Sequence, residues 1–163
     1  MADLKIVEST RPTGAFKTIL WSGLVAGVLD GADAVIVIPW LKHIAAIRIP
    51  QFIASSLLGV HAFRSGWWAA SLGVALHFLI AISTAAIYYA ISIKLSFPLR
   101  KPLIFGPVFG LMLFGLMQYV VVPLTAAPRQ PPLKTDEFLN LVLSHVLCVG
   151  LPIALITSRF SKE

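Results

Sequence analysis

Trp67–Ile93 reads WWAASLGVALHFLIAISTAAIYYAISI, 27 residues without an Asp, Glu, Lys or Arg. A helix needs about 20 mostly apolar residues to cross the hydrocarbon core of a bilayer. This stretch exceeds that length, and its most polar ionisable group is the lone His77. Working outward from it, three more stretches qualify on the same grounds: Thr18–Pro39, Leu103–Thr125 and Phe138–Thr157. Four spans joined mostly by short turns predict an all-α integral membrane four-helix bundle.

The composition agrees. Of 163 residues, 58% are hydrophobic and only 12% charged, and the mean hydropathy is +0.88. An ordinary soluble domain is about 25% charged, so this chain has too few polar side chains to cover a water-facing surface, and lipid takes the place of the outer solvent. The net charge of +6 comes from Lys and Arg that flank the apolar runs, the pattern of anchors at anionic headgroups. The expected partner is therefore the bilayer and not nucleic acid. Cys148 is the sole cysteine, which excludes an internal disulfide.

Prolines punctuate the pattern. Pro39 is expected to close the first span, Pro98 and Pro102 to bracket the second turn, and Pro128, Pro131 and Pro132 to end the third. Pro107 and Pro152 fall inside spans, where membrane helices tolerate kinks. Ala32-Asp33-Ala34 resembles a signal-peptide cleavage site, but the apolar run continues through Val35-Ile36-Val37-Ile38, so a retained helix is expected. Between the first two spans, about residues 50–62 are apolar yet too short to cross. They predict an interfacial or re-entrant helix started by Pro50, beside an aromatic belt of Trp40, Trp67 and Trp68.

Eight basic residues (Lys5, Arg11, Lys17, Lys94, Arg100, Lys101, Arg159, Lys162) fall on the side holding both termini, against five (Lys42, Arg48, Arg64, Arg129, Lys134) on the other. The positive-inside rule then predicts cytoplasmic termini in a bacterial inner membrane.

Helical-wheel positions at 100° per residue sort the polar side chains. On the first span Asp30 and Asp33 share a small-residue stripe with Gly23, Ala26, Gly27 and Ala34, and Gly23-x-x-x-Gly27-x-x-x-Gly31 suits close helix approach. His77 shares a stripe with Gly73, Ala81, Thr84 and Tyr88. The third span offers Gln118 and the fourth His145, with the rest of the fourth apolar nearly all round. Counted from the midpoint of each span, Asp30, Asp33, His77, Gln118 and His145 all fall on the side away from the termini. They are expected in one slab roughly 5 Å thick.

An aspartate near the centre of a membrane helix costs about 2.5–3.5 kcal/mol, and such residues mark functional sites by default. Three readings of the five residues stay open. One is a proton- or cation-binding site, with Asp30 and Asp33 as ligands and the histidines as relays. A second is a haem or transition-metal site on His77 and His145, within a subunit of a larger membrane complex. The third is a structural hydrogen-bond network. No nucleophile constellation points to an enzyme. Met112 and Met117 are read as packing residues.

The stretch His77-Phe78-Leu79-Ile80-Ala81 leading to Ala86-Ile87-Tyr88-Tyr89 resembles bacterial inner-membrane proteins of the YagU-like kind. So does Pro107-Val108-Phe109-Gly110 leading to Val122-Pro123-Leu124-Thr125, with Glu137 and His145 beyond. The resemblance covers roughly the last 90 residues and implies a multi-helix inner-membrane protein. It implies no counterpart for Asp30 and Asp33. Independently of it, four helices are few for a transport path, so a homo-oligomer or a larger membrane complex is expected.

Overall fold

The computed structural model describes residues 12–160, and these form helices and turns without a strand. Lys5, Arg11 and Lys162, counted above for orientation, lie outside the described residues. Four helices are long and apolar enough to cross a membrane, which makes the chain a multi-pass membrane protein. They are α1 (Pro12–Lys42), α3 (Gly66–Lys94), α5 (Pro102–Leu124) and α6 (Thr135–Phe160). α1, α3 and α6 extend past their predicted boundaries, because helix continues through the flanking polar residues until backbone geometry stops it, whereas α5 starts one residue earlier than predicted and ends one residue sooner. The short α2 (Arg48–Leu58) runs into a 3₁₀ turn, Gly59–Arg64, and α4 (Phe97–Arg100) makes the turn between α3 and α5.

Pro39 does not close α1. It lies one turn before the end, and the helix stops at Lys42, where His43 adopts a left-handed φ of 52° and Ile44 N–H donates to the Pro39 carbonyl at 3.1 Å. That 6→1 bond is the Schellman arrangement that satisfies a carbonyl at a helix end.

α1 is central, packed against α3 on one side and α6 on the other, and α6 in turn packs against α5. Glycines set the α1–α3 and α5–α6 spacings, and a single glycine sets that of α2 on α3. A Cβ on Gly23 would fall 2.6 Å from Ile82 Cα, and one on Gly27 would fall 2.8 Å from the Phe78 ring, so backbone replaces side chain where α1 meets α3. Gly106 and Gly110 of α5 meet Gly150 and the His145 carbonyl of α6 as closely. α2 lies across the start of α3, where Gly73 abuts the backbone of Pro50, and small buried residues Ala54, Ala62 and Ala69 fill the contact. Without a hydrophobic drive between helices in lipid, such backbone proximity and dispersion hold the bundle. Large apolar side chains such as Ile36, Leu103, Met112 and Leu124 point outward instead.

Two spans contain a turn of π-helix: Met117–Val121 in α5 and His145–Gly150 in α6. Each closes with an i→i−5 bond, from Val122 to Met117 and from Leu151 to Val146, and a proline, Pro123 or Pro152, stands two residues beyond each turn. Proline lacks an N–H and its ring collides with the carbonyl four residues back. Widening the preceding turn moves that carbonyl aside and keeps the span continuous.

Candidate functional site

The acidic residues of α1 meet α6 along one seam. Ser144 Oγ donates to Asp30 Oδ1 at 2.7 Å, and Asn140 Nδ2 donates to Asp33 Oδ2 at 3.0 Å. At the end of the seam Lys42 Nζ and Glu137 Oε2 form an ion pair at 2.6 Å, the one ion pair among the described residues. The helices are antiparallel, so Glu137, Asn140 and Ser144 step down α6 as Lys42, Asp33 and Asp30 step down α1. Spacings of three and four residues put all three α6 partners on a single helix face, and Cys148 continues it one turn on.

Both aspartates are half-buried within a span, and each is bonded by one neutral donor. A hydrogen bond to a charged group contributes about 1.5–3 kcal/mol, comparable with the insertion cost of one aspartate. It leaves nothing to offset repulsion between two carboxylates three residues apart, whose Cβ atoms lie roughly 5–6 Å from each other.

The histidines lie elsewhere. His77 Nε2 donates to the Gly27 carbonyl at 2.8 Å, on the glycine edge of α1. That edge stands about 90° around the helix from the aspartates. Beside His77 lies a lateral cavity of about 270 Å³, walled by apolar groups that include Val35, Ile53 and Phe78, and neither aspartate lines it. His145 Nδ1 donates to the Leu141 carbonyl of its own helix at 2.9 Å, and its ring packs edge-on against Phe114 of α5, centroids 5.7 Å apart. The small-residue stripe of α1 is thus two adjacent faces, glycine toward α3 and aspartate toward α6.

A haem held between His77 and His145 needs two imidazoles facing one gap. Here one faces α1 and the other α5, so the geometry does not fit that cofactor. Among the described residues no group of three or more His, Cys, Asp or Glu side chains is arranged to hold a metal ion. Gln118 lies in the π turn of α5 and makes no side-chain hydrogen bond among the described residues. Since Gly110 abuts the His145 carbonyl, Gln118, eight residues further along, comes level with Glu137 and not with Ser144. That is roughly 10 Å farther from the termini side than the level of Asp30, at about 1.5 Å per residue.

Asn140, Ser144 and the Lys42–Glu137 pair are the partners that reading the sequence missed. The signal was present as polar residues at 137, 140, 144 and 148, a stripe at helical spacing that passes about 100° from His145. No known protein-family model, curated protein sequence or solved structure matches this chain.

Proposed function

We propose that the protein binds a proton or a small cation at Asp30 and Asp33, within the bilayer, on the seam between α1 and α6. The observation that carries this reading is that two neighbouring carboxylates inside a span are bonded only by the neutral groups of Ser144 and Asn140, with no ion pair to either among the described residues. A purely structural seam would be served as well by Asn or Ser at lower desolvation cost. Glu137 and Lys42 neutralise each other at the outer end and leave the aspartates as the seam's uncompensated groups.

The same reading places the chain in a bacterial inner membrane with both termini cytoplasmic, supported by the eight-to-five distribution of basic residues over the whole sequence. Four spans are few for a path of their own, so a homo-oligomer or a larger membrane complex is part of the proposal. So is kinship with the YagU-like proteins, supported by the stretch around His77.

Dicyclohexylcarbodiimide attacks protonated carboxyls in apolar surroundings and tests the site directly. In reconstituted protein the adduct is expected on Asp30 or Asp33, lost in Asp30→Asn/Asp33→Asn, and slowed by sodium or potassium if a cation is the occupant. Failure to label either aspartate in cation-free buffer, with the protein folded, would sink the proposal.

A further inference from the structure

The half of the bundle nearest the termini contains a second polar group of side chains, separate from the seam. Thr18 and Ser22 on α1, Tyr88 and Ser92 on α3, and Thr157 and Ser158 on α6 are all buried. Three of these hydroxyls are satisfied: Thr18 donates to the Gly14 carbonyl at 2.8 Å, Ser22 to the Thr18 carbonyl at 2.7 Å, and Ser158 to the Leu99 carbonyl at 2.7 Å. Among the described residues the Thr157 hydroxyl has no hydrogen-bond partner, and those of Tyr88 and Ser92, one turn apart on α3, have at most each other in strained geometry, although these residues are only 0%, 3% and 0% exposed.

Ser92 and Thr157 are helical, so the carbonyl four residues back is within reach, and Thr18 and Ser22 use that route. Ser92 and Thr157 do not. Their positions explain where they turn. Tyr88 and Ile153 meet in the core formed with Ala26, Ala85, Val149 and Ala154. Ser92 stands one turn beyond Tyr88, and Thr157 one turn beyond Ile153, both toward the termini. The orphan hydroxyls therefore gather at the termini end of this small-residue core, and the Asp30–Asp33 seam begins at its other end. Buried hydroxyls without partners are rare, and water is their usual partner where protein supplies none.

We propose that Tyr88, Ser92 and Thr157 line a water-holding recess reached from the termini side. It forms one half of an interrupted polar path whose other half is the Asp30–Asp33 seam, with the Ala26–Ala85–Ile153 core as the barrier between them. The path rests on the proton- or cation-binding reading of the seam, whereas the recess rests only on the hydroxyls. Two polar halves parted by a thin apolar layer are what alternating exposure of a bound ion requires, and here the layer is built of alanines with Val149 and Ile153.

Methanethiosulfonate ethylammonium reacts with thiolates and so reports water at a sulfur. In a Cys148→Ala background, Ser92→Cys and Thr157→Cys are expected to react when the reagent is added on the termini side of reconstituted protein. Ala85→Cys, in the barrier, stays inert. Thr157→Val keeps the side-chain shape and removes the hydroxyl, which lowers Tm or leaves it unchanged if the hydroxyl binds water. Inert cysteines at both positions in protein that melts like the background, or a raised Tm for Thr157→Val, would overturn the recess. The carbodiimide result concerns the seam alone, so failure of one half is distinguishable from failure of the other.

Discussion

Gly73→Ala is expected to destabilise the protein by about 4 kcal/mol or more, at the far end of what single substitutions do. A Cβ at this position would overlap the carbonyl oxygen of Pro50 and come within 2.6 Å of its carbonyl carbon. Both partners are helix backbone, so no rotamer change relieves the collision. α2 must lift from α3, separating Ala54 from Ala69 and drawing Gln51 away from the Gly66 carbonyl it donates to at 3.1 Å. Buried amide groups would then lose partners in a setting where each lost bond costs about 1–3 kcal/mol. Thermal unfolding in lipid nanodiscs reads the effect. Gly115→Ala is the control, since a Cβ there meets nothing within 4 Å. It should leave Tm unchanged or raise it by an amount corresponding to roughly 1 kcal/mol at most. Equal melting of the two variants would refute the close approach of α2 to α3.

The second large effect is expected at the end of the seam farther from the termini. Lys42→Met leaves Glu137, only 4% exposed, without its counter-charge. Removing one partner of a fully buried pair destabilises by about 3–5 kcal/mol, because the remaining charge stays desolvated; Lys42 is itself 26% exposed, so the loss is expected at or below the lower end of that range. The position of Glu137 in the first turn of α6 recovers a small part, since the helix N-terminus favours an anion by about 0.3–1 kcal/mol. The double variant Lys42→Met/Glu137→Gln, which removes both charges, should regain most of the lost stability. If single and double variants melt alike, the pair does not act as a buried unit.

Much of the architecture was legible because lipid imposes a simple rule. A run such as Trp67–Ile93 is readable on length and charge alone, and so were the other three spans and the helix at residues 50–62. The ends were less legible: α1 passes Pro39 because proline at a helix end disturbs only a bond already close to the terminus, and His43 supplies the stop. Pro152 was visible as an interruption inside its span, whereas Pro123 was missed. The form of the response, a π turn ahead of each, depends on how α5 and α6 pack and is not written in the local sequence.

The candidate site was legible in part. Asp30 and Asp33 stand out by their cost in lipid. Their partners did not, because Asn140 and Ser144 are individually unremarkable and His145 drew the eye to another face of the same helix. Depth counted from span midpoints also misled for Gln118. The count assumed equal spans and straight helices, whereas the glycine contacts at 106, 110 and 150 set the actual register of α5 on α6.

The most direct test of the central claim is the infrared spectrum of the carboxyl groups in reconstituted protein, recorded as wild type minus Asp30→Asn/Asp33→Asn. The account predicts the carbonyl stretch of a protonated carboxyl in cation-free buffer, absent from the variant, or its conversion to the carboxylate pattern when sodium or potassium is added. Two ionised aspartates in cation-free buffer, with a spectrum indifferent to added cation, would contradict it.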